Sequence, residues 1–282
     1  MSAFSHRDSS LDWQRVARVL SGHAIGHRFV YLPTTGSTND EARQMAVAGA
    51  AEGVVVFADA QTAGRGRAGK GPWLTPPCTS IAVSIILRPR LAPAELPRLS
   101  MAAAIAAIEA IRESTGVAAA LKWPNDVVTD RGKLGGILAE SALAGGSVLY
   151  VILGIGLNGN LDAEAVGPLP DAAMQPTTLQ DEAGQPISRE AVVIALLRAF
   201  DRAYALLRAG DATAMWQQYR VASNTLGHLV RIRPNSASVD LLDPVGTVEG
   251  IAEDVTPDGA LVVRLPSGGR QTFAYGEVTV RT

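Results

Sequence analysis

Apolar residues recur at helical spacing over 11–20, where Leu11, Val16, Val19 and Leu20 predict a short amphipathic helix. A strand signal follows soon after, in Arg28-Phe29-Val30-Tyr31-Leu32-Pro33. It arrives too early for a helix-turn-helix, which needs three helices and ~60 residues. The strand leads through Gly36-Ser37-Thr38-Asn39-Asp40-Glu41 into a helix that runs to about Ala48 and is closed by Gly49. Thr38 and Glu41 stand at capping-box spacing, which places the helix start there. The β-branched run Val54–Ala58 reads as a buried strand, and Ser80–Leu87 as the next. Between them lies a polar, glycine-rich loop over 61–73.

A long helix is expected over roughly 95–114, stopped by Gly116. Strands follow near 117–122, 133–143 and 147–154, and 159–187 is an irregular, Pro/Asp/Gly-rich excursion. Residues 188–209 form an amphipathic helix that starts at Ser188, with Glu190 in its first turn. Beyond about 224 the texture changes. Short β runs at 228–232, 246–251, 261–265 and 271–275 alternate with Gly/Asp/Pro turns, as in a small antiparallel barrel. The expected division is 1–224 and 225–282, with no internal repeat.

The composition of the 282 residues narrows the possible functions. Hydrophobic residues at 47% support a sizeable core. A formal net charge of -2 offers no broad basic face for phosphates, so nucleic acid is not an expected partner. A single cysteine, Cys78, excludes a disulfide framework and a thiolate-rich metal site. The first residues lack a continuous apolar secretory segment. No apolar run reaches the ~18 residues a membrane helix needs, so a cytoplasmic chain with no membrane partner is expected.

Four segments carry candidate chemistry. In Gln61-Thr62-Ala63-Gly64-Arg65-Gly66-Arg67, alternating glycines and arginines allow close backbone approach and bidentate recognition of a phosphate or carboxylate. The plain alternative is an exposed basic turn. In Lys122-Trp123-Pro124-Asn125-Asp126, Asn125 can read a base edge and Asp126 can hold Mg²⁺ through oxygen, although local propensity alone also gives an Asn-Asp turn. Lys133-Leu134-Gly135-Gly136-Ile137-Leu138 suits a ligand lying on bare backbone; the plain alternative is a β-bulge beside a solvated lysine. Gly154-Ile155-Gly156-Leu157-Asn158 lacks the third glycine and following helix of a dinucleotide fingerprint; its alternative is a strand end with an exposed Asn.

Together with Ser37-Thr38-Asn39-Asp40, these segments resemble, in order and spacing, the biotin protein ligases. The resemblance runs from about Arg28 to Arg281. It implies an α+β fold: a catalytic domain like that of class II aminoacyl-tRNA synthetases, with a mixed sheet flanked by helices, plus an SH3-like C-terminal barrel. It also implies ATP-dependent activation of biotin as biotinyl-5'-AMP, then transfer to a lysine of a biotin carboxyl carrier protein such as that of acetyl-CoA carboxylase.

By that resemblance Ser37, Thr38, Asn39 and Gln61 line the biotin ureido pocket. Gly64, Arg65, Gly66 and Arg67 belong to a loop that orders over biotin and the adenylate. Lys133 meets the biotin carboxylate and phosphoryl oxygens, and Gly136 makes a backbone contact. Lys122, Asn125, Asn158 and Arg281 fall on the nucleotide side. Asp126 is similar to an acidic residue implicated in holding Mg²⁺ or receiving the lysine nucleophile, and Arg65, Lys133 and Asp126 form the catalytic set. Residues 68–73, Ala-Gly-Lys-Gly-Pro-Trp, depart from the family's usual R-G-R-x-W continuation. The chain resembles the ligase-only class, without an N-terminal DNA-binding domain. A lipoate or octanoate ligase and a catalytically silent biotin-binding module are the competing readings. The number of subunits stays open, with a homodimer among the options.

Overall fold

The computed structural model describes residues 11–67, 72–73, 75–161, 174–233 and 246–281. Seven strands form one mixed sheet: β1 (Arg28–Thr35), β2 (Val54–Gln61), β3 (Ile81–Leu87), β4 (Ala120–Lys122), β5 (Asp126–Val128), β6 (Lys133–Ala144) and β7 (Ser147–Leu157). Their spatial order is β1-β2-β3-β7-β6-β5-β4; β1 and β2 are parallel and the other pairs antiparallel.

Side chains of a strand point alternately to opposite faces, so each central strand feeds two cores. On one face, Val54, Val56, Ile86 and Ile152 receive Ala42 and Ala46 of helix α2 (Thr38–Val47). On the other, Val55, Phe57, Val83, Ile85, Leu153 and Ile155 join the large core with helix α1 (Trp13–Leu20), helix α3 (Pro97–Thr115) and further helices. Alanines at 102, 103, 106, 107 and 110 are buried along α3, which leaves space for close packing with α5 (Arg189–Arg208). Helix α4 (Leu179–Ala183) is a single turn, and α6 (Thr213–Ala222) precedes the C-terminal strands. Among the described residues no helix is long and apolar enough to cross a membrane.

Strands β8 (Leu229–Arg233), β9 (Val248–Val255), β10 (Leu261–Arg264), β11 (Arg270–Phe273) and β12 (Glu277–Arg281) make a second, all-antiparallel sheet in the order β11-β10-β9-β8-β12. The fold is thus the expected α+β one, a helix-flanked mixed sheet followed by a small β unit. Two indoles tie the units together: the Trp123 N–H donates to the Gly259 carbonyl at 2.8 Å, and the Trp216 N–H to that of Val255 at 2.7 Å. The Trp123 amide also donates to the Thr225 hydroxyl. Arg98–Asp258 and Arg220–Asp254, each at 2.6 Å, flank these bonds.

Several boundaries differ from the sequence expectation. Helix α2 has Ser37, not Thr38, at its N-cap, and the expected capping box does not form. The Thr38 hydroxyl donates instead to Gln61 Oε1, and Glu41 receives the Thr35 hydroxyl. A 3-10 turn at Pro93–Glu95 precedes α3. The excursion over 159–187 contains α4, capped by the Thr178 hydroxyl; residues 162–173 lie outside the described residues. Strand β7 extends to Leu157, so Asn158 closes it buried rather than exposed. The Ser188 cap of α5 is as expected, its hydroxyl accepting the Ala191 N–H.

Arg189, just inside that cap, forms a 2.7 Å ion pair with Asp59 of β2, with side-chain exposures of 3% and 4%. Asp59 also accepts the Tyr31 hydroxyl; burial, and secondarily this bond, push the Tyr31 pKa up to about 12. Removing one partner of a buried pair leaves an uncompensated charge, at a cost of about 3–5 kcal/mol. Arg189→Met should therefore lower the unfolding free energy by that amount in urea titrations; a loss below about 1 kcal/mol would show that the pair does not hold β2 in place.

Candidate functional site

The site begins with an absence of side chains. On the α2 face of the sheet, β6 and β7 are in register at Gly136↔Gly156 and Leu138↔Gly154, and β3 contributes Ala82 and Ser84 opposite Gly156 and Gly154. Around these residues the sheet face is nearly bare backbone.

Each glycine has its own cause. A Cβ on Gly135 would run into the Gly156 carbonyl, so packing alone requires that glycine. At Gly154 it would meet Asn39 Oδ1, and at Gly156 the Trp73 indole at 2.9 Å. At Gly136 it would meet only ordinary contacts, 3.6 Å from Asn125 O and from Asp126 Oδ1. No protein neighbour demands that bareness, which suits a ligand lying against the strand.

At the floor's edge a register shift in the β5–β6 ladder pairs Val127 with Gly135 but Val128 with Lys133. Such irregularities re-aim a side chain. The bulge of the alternative reading is therefore present, but its lysine is not a solvated one: Lys133 Nζ lies 2.6 Å from Asp126 Oδ1, both about three-quarters buried. Lys122 pairs with Asp126 across the β4–β5 ladder and is buried. Asn125 donates its amide to the Ile137 carbonyl, while its Oδ1 is buried with no partner, an acceptor facing unmet demand. The Asn158 amide donates to the Thr177 carbonyl at 2.9 Å and lies 3.4 Å from that of Lys133, so it braces the lysine's backbone.

The N-terminal end of α2 forms the second wall. Gln61 Oε1 accepts the Thr38 N–H at 2.9 Å and its hydroxyl at 3.1 Å, and Gln61 Nε2 donates to the Thr75 hydroxyl. Ser84 Oγ sits 2.8 Å from Thr38 Oγ1 and 2.6 Å from Asn39 Oδ1. Ser37 is buried and its hydroxyl is not used as a helix cap. Ser37, Thr38, Asn39 and Gln61 are thus brought together beside a helix N-terminus, a cluster of fixed dipoles fit for a small polar ring.

The glycine-arginine segment crosses this floor as a strap. Its stems pair at Gln61↔Thr75 and Arg65↔Pro72, with the Trp73 N–H donating to the Gly64 carbonyl. The arrangement sets the Trp73 indole over Gly156, with its Nε1 buried and unpartnered. Arg65 makes a bidentate pair with Asp40, both contacts 2.6 Å. That pair holds the Asp40 carboxyl below, and the Arg65 guanidinium above, its ordinary pKa. Arg67 reaches the Gly276 carbonyl at 3.4 Å; burial lowers its pKa, opposed by the charges of Asp126 and Glu277. The two arginines therefore face different surroundings, one α2 and β6, the other Asp126 and the C-terminal unit. Residues 68–71 and 74 lie outside the described residues, as does the Arg281 side chain, whose backbone pairs with Leu229.

The sequence reading did not single out Ser84, Trp73, Arg43 or Glu140. Ser84 inside the apolar run 81–87 and a glutamate inside strand 133–143 were the available signals.

Residues 31–158 match the Biotin/lipoate A/B protein ligase family, and 238–281 match the Biotin protein ligase C terminal domain. The chain is 36% identical over 251 residues to the biotin--[acetyl-CoA-carboxylase] ligase of Paracoccus denitrificans, covering 88% of this chain and 98% of that protein. It is 36% identical to the ligase of the same name from Mycobacterium tuberculosis (92% and 91% covered). In fold it is similar to the biotin protein ligase from Aquifex aeolicus in complex with biotin and ATP, with a TM-score of 0.71, 24% identity, and 90% and 98% coverage. The chain belongs to the biotin protein ligase family.

Gly156→Ala should push the Trp73 indole off the floor, since the added carbon would sit 2.9 Å from the ring. Overpacking of this kind typically costs about 1–3 kcal/mol. Tryptophan emission should shift to the red in Gly156→Ala and should not shift when Trp73→Phe is already present. An unchanged spectrum would mean that Trp73 does not rest on Gly156.

Proposed function

We propose that this chain joins biotin to ATP as biotinyl-5'-AMP and passes the biotinyl group to a lysine of a biotin carrier domain, such as that of acetyl-CoA carboxylase. The observation that carries the reading is the glycine floor at Gly136 and Gly156, with a polar pocket at one end and the Lys133–Asp126 pair at the other. Biotin has the same layout, a ureido ring joined by an alkyl chain to a carboxylate. In this proposal Ser37, Thr38, Asn39 and Gln61 receive the ring, Gly136 lies under the chain, and Lys133 meets the carboxylate. Arg65 and Arg67, with Gly64 and Gly66, bring the strap over the ligand. Lys122, Asn125, Asn158 and Arg281 fall on the nucleotide side, where the unpartnered Asn125 Oδ1 suits an amino group. The same proposal assigns 1–224 to catalysis and 225–282 to the small C-terminal unit. A cytoplasmic location, where ATP is at hand, belongs to it as well.

A carboxylate is a poor acyl donor. Its oxygen attacks the α-phosphorus of ATP, pyrophosphate leaves, and a mixed anhydride forms. A carrier lysine amine then attacks the acyl carbon, and AMP leaves. The first step brings two anions together, so cations fixed in a partly dry site lower its barrier. Lys133 supplies one, and moving it from Asp126 to the substrate frees that carboxylate to receive the incoming ammonium's proton. Among the described residues no three His, Cys, Asp or Glu side chains cluster for a metal. Asp126 is the carboxylate that would hold Mg²⁺, a hard cation that a nucleotide site binds through one or two carboxylates. Bound there, Mg²⁺ would screen the phosphate charge.

With biotin and MgATP but no acceptor, the protein should release about one equivalent of pyrophosphate per site. Lys133→Ala should slow this burst by about a hundredfold or more, as loss of ~3 kcal/mol of transition-state stabilisation implies, while the melting temperature holds. A folded Lys133→Ala protein with wild-type single-turnover rates would overturn the role of Lys133. A burst with lipoate or octanoate but not biotin would overturn the substrate.

A further inference from the structure

The two strap arginines are embedded in different networks. Asp40, in the first turn of α2, takes both Arg65 nitrogens at 2.6 Å, and Glu140 of β6 lies 3.5 Å from Arg65 Nη2. Arg43, one turn along α2, pairs with Asp40 and reaches Glu140 at 2.8 Å. Glu140 also accepts the Asn39 amide at 2.6 Å, and Asn39 in turn receives Ser84. Two carboxylates and two guanidinia thus form a closed set of ion pairs, hydrogen-bonded at Asp40 and joined to the buried pocket wall through Asn39. An isolated exposed ion pair contributes little, but bidentate geometry and a network are the conditions under which one does.

We infer that Arg65 is a positioning residue: the Asp40–Glu140–Arg43 cluster anchors the strap at Arg65, so that Trp73 and Arg67 are presented over the glycine floor. The inference rests on the biotin ligase reading for its consequence, not for its geometry. Arg65 pairs with Pro72 across the strap, and Gly64 accepts the Trp73 amide, so fixing Arg65 fixes the indole on Gly156. Arg67, two residues on, faces Asp126 and Gly276 and is left as the strap's cation at the reacting end. The specific geometry is a fork, not merely a charge, since a lysine offers no parallel pair of donors to Asp40.

The test compares Arg65→Ala, Arg65→Lys, Asp40→Asn and the double variant Arg65→Ala/Asp40→Asn in the full chain. The first readout is amide exchange of residues 64–67 without ligand. Each single variant should speed exchange there about fivefold to tenfold, with the α2 interior unchanged. The second is adenylate formation and its escape from the enzyme. Arg65→Lys should lose as much as Arg65→Ala, and the double variant should be no worse than either single one. Near-normal adenylation by Arg65→Lys, or losses that multiply in the double variant, would overturn the anchor and make Arg65 a direct charge stabiliser. Unchanged exchange in Asp40→Asn would overturn it as well. Faster exchange throughout a variant would mark global unfolding and count against a local anchor. If the wild-type protein forms no adenylate, the functional reading fails, while the exchange measurement still decides the anchor.

Discussion

The site depends on one close approach: β6 and β7 run in register with glycine opposite glycine at Gly136↔Gly156, and Gly154 lies opposite Leu138. Every other part of the site is placed relative to that bare patch. Helix α2 covers the neighbouring stretch through Ala42 and Ala46, and its N-terminal residues Thr38 and Asn39 end where the side chains of the floor run out. Asn39 itself fits only because Gly154 has no Cβ, and Trp73 only because Gly156 has none. A ligand over Gly136 would meet backbone below, the Trp73 indole beside it on Gly156, and hydrogen-bonding groups at both ends.

Charge is held in pairs on both faces of the sheet. Lys133 rests on Asp126, Arg65 on Asp40, and Arg189 on Asp59. The three pairs differ in burial, and burial sorts their roles. Arg189–Asp59 is sealed in the interior and supports β2, the strand that ends in Gln61. Lys133–Asp126 is partly open, so an anionic substrate can compete for the lysine without leaving a charge stranded in a dry core. Arg65–Asp40 is the most exposed and gains from its fork and its neighbours rather than from burial. The C-terminal sheet joins the same system through Trp123: its indole is fixed to Gly259, and the next turn presents Asn125 and Asp126.

The two sheets, the long helices and the polar segments were legible because each has a strong local signature. Val54–Ala58 is β-branched, Gly116 adopts φ 75 as a helix stop must, and Ser188 caps α5 through its hydroxyl. Strand β5 escaped because Asp126–Val128 is too short to show a period, and α6 because Thr213–Ala222 buries few residues, Met215 and Tyr219 among them. Thr38 misled the helix start because capping propensity is local, whereas its hydroxyl is claimed by Gln61, distant in sequence. The acidic partners of Arg65 were invisible for the same reason. Asp40 and Glu140 lie a hundred residues apart, and only the fold makes them neighbours.

Transfer of biotin to a protein changes the mass of the recipient, and that mass is the direct readout. A purified biotin carrier domain incubated with this chain, biotin and MgATP should gain the mass of a single biotinyl group, on one lysine and only when ATP is present. An unchanged carrier mass, or a gain that appears with lipoate or octanoate in place of biotin, would contradict the account.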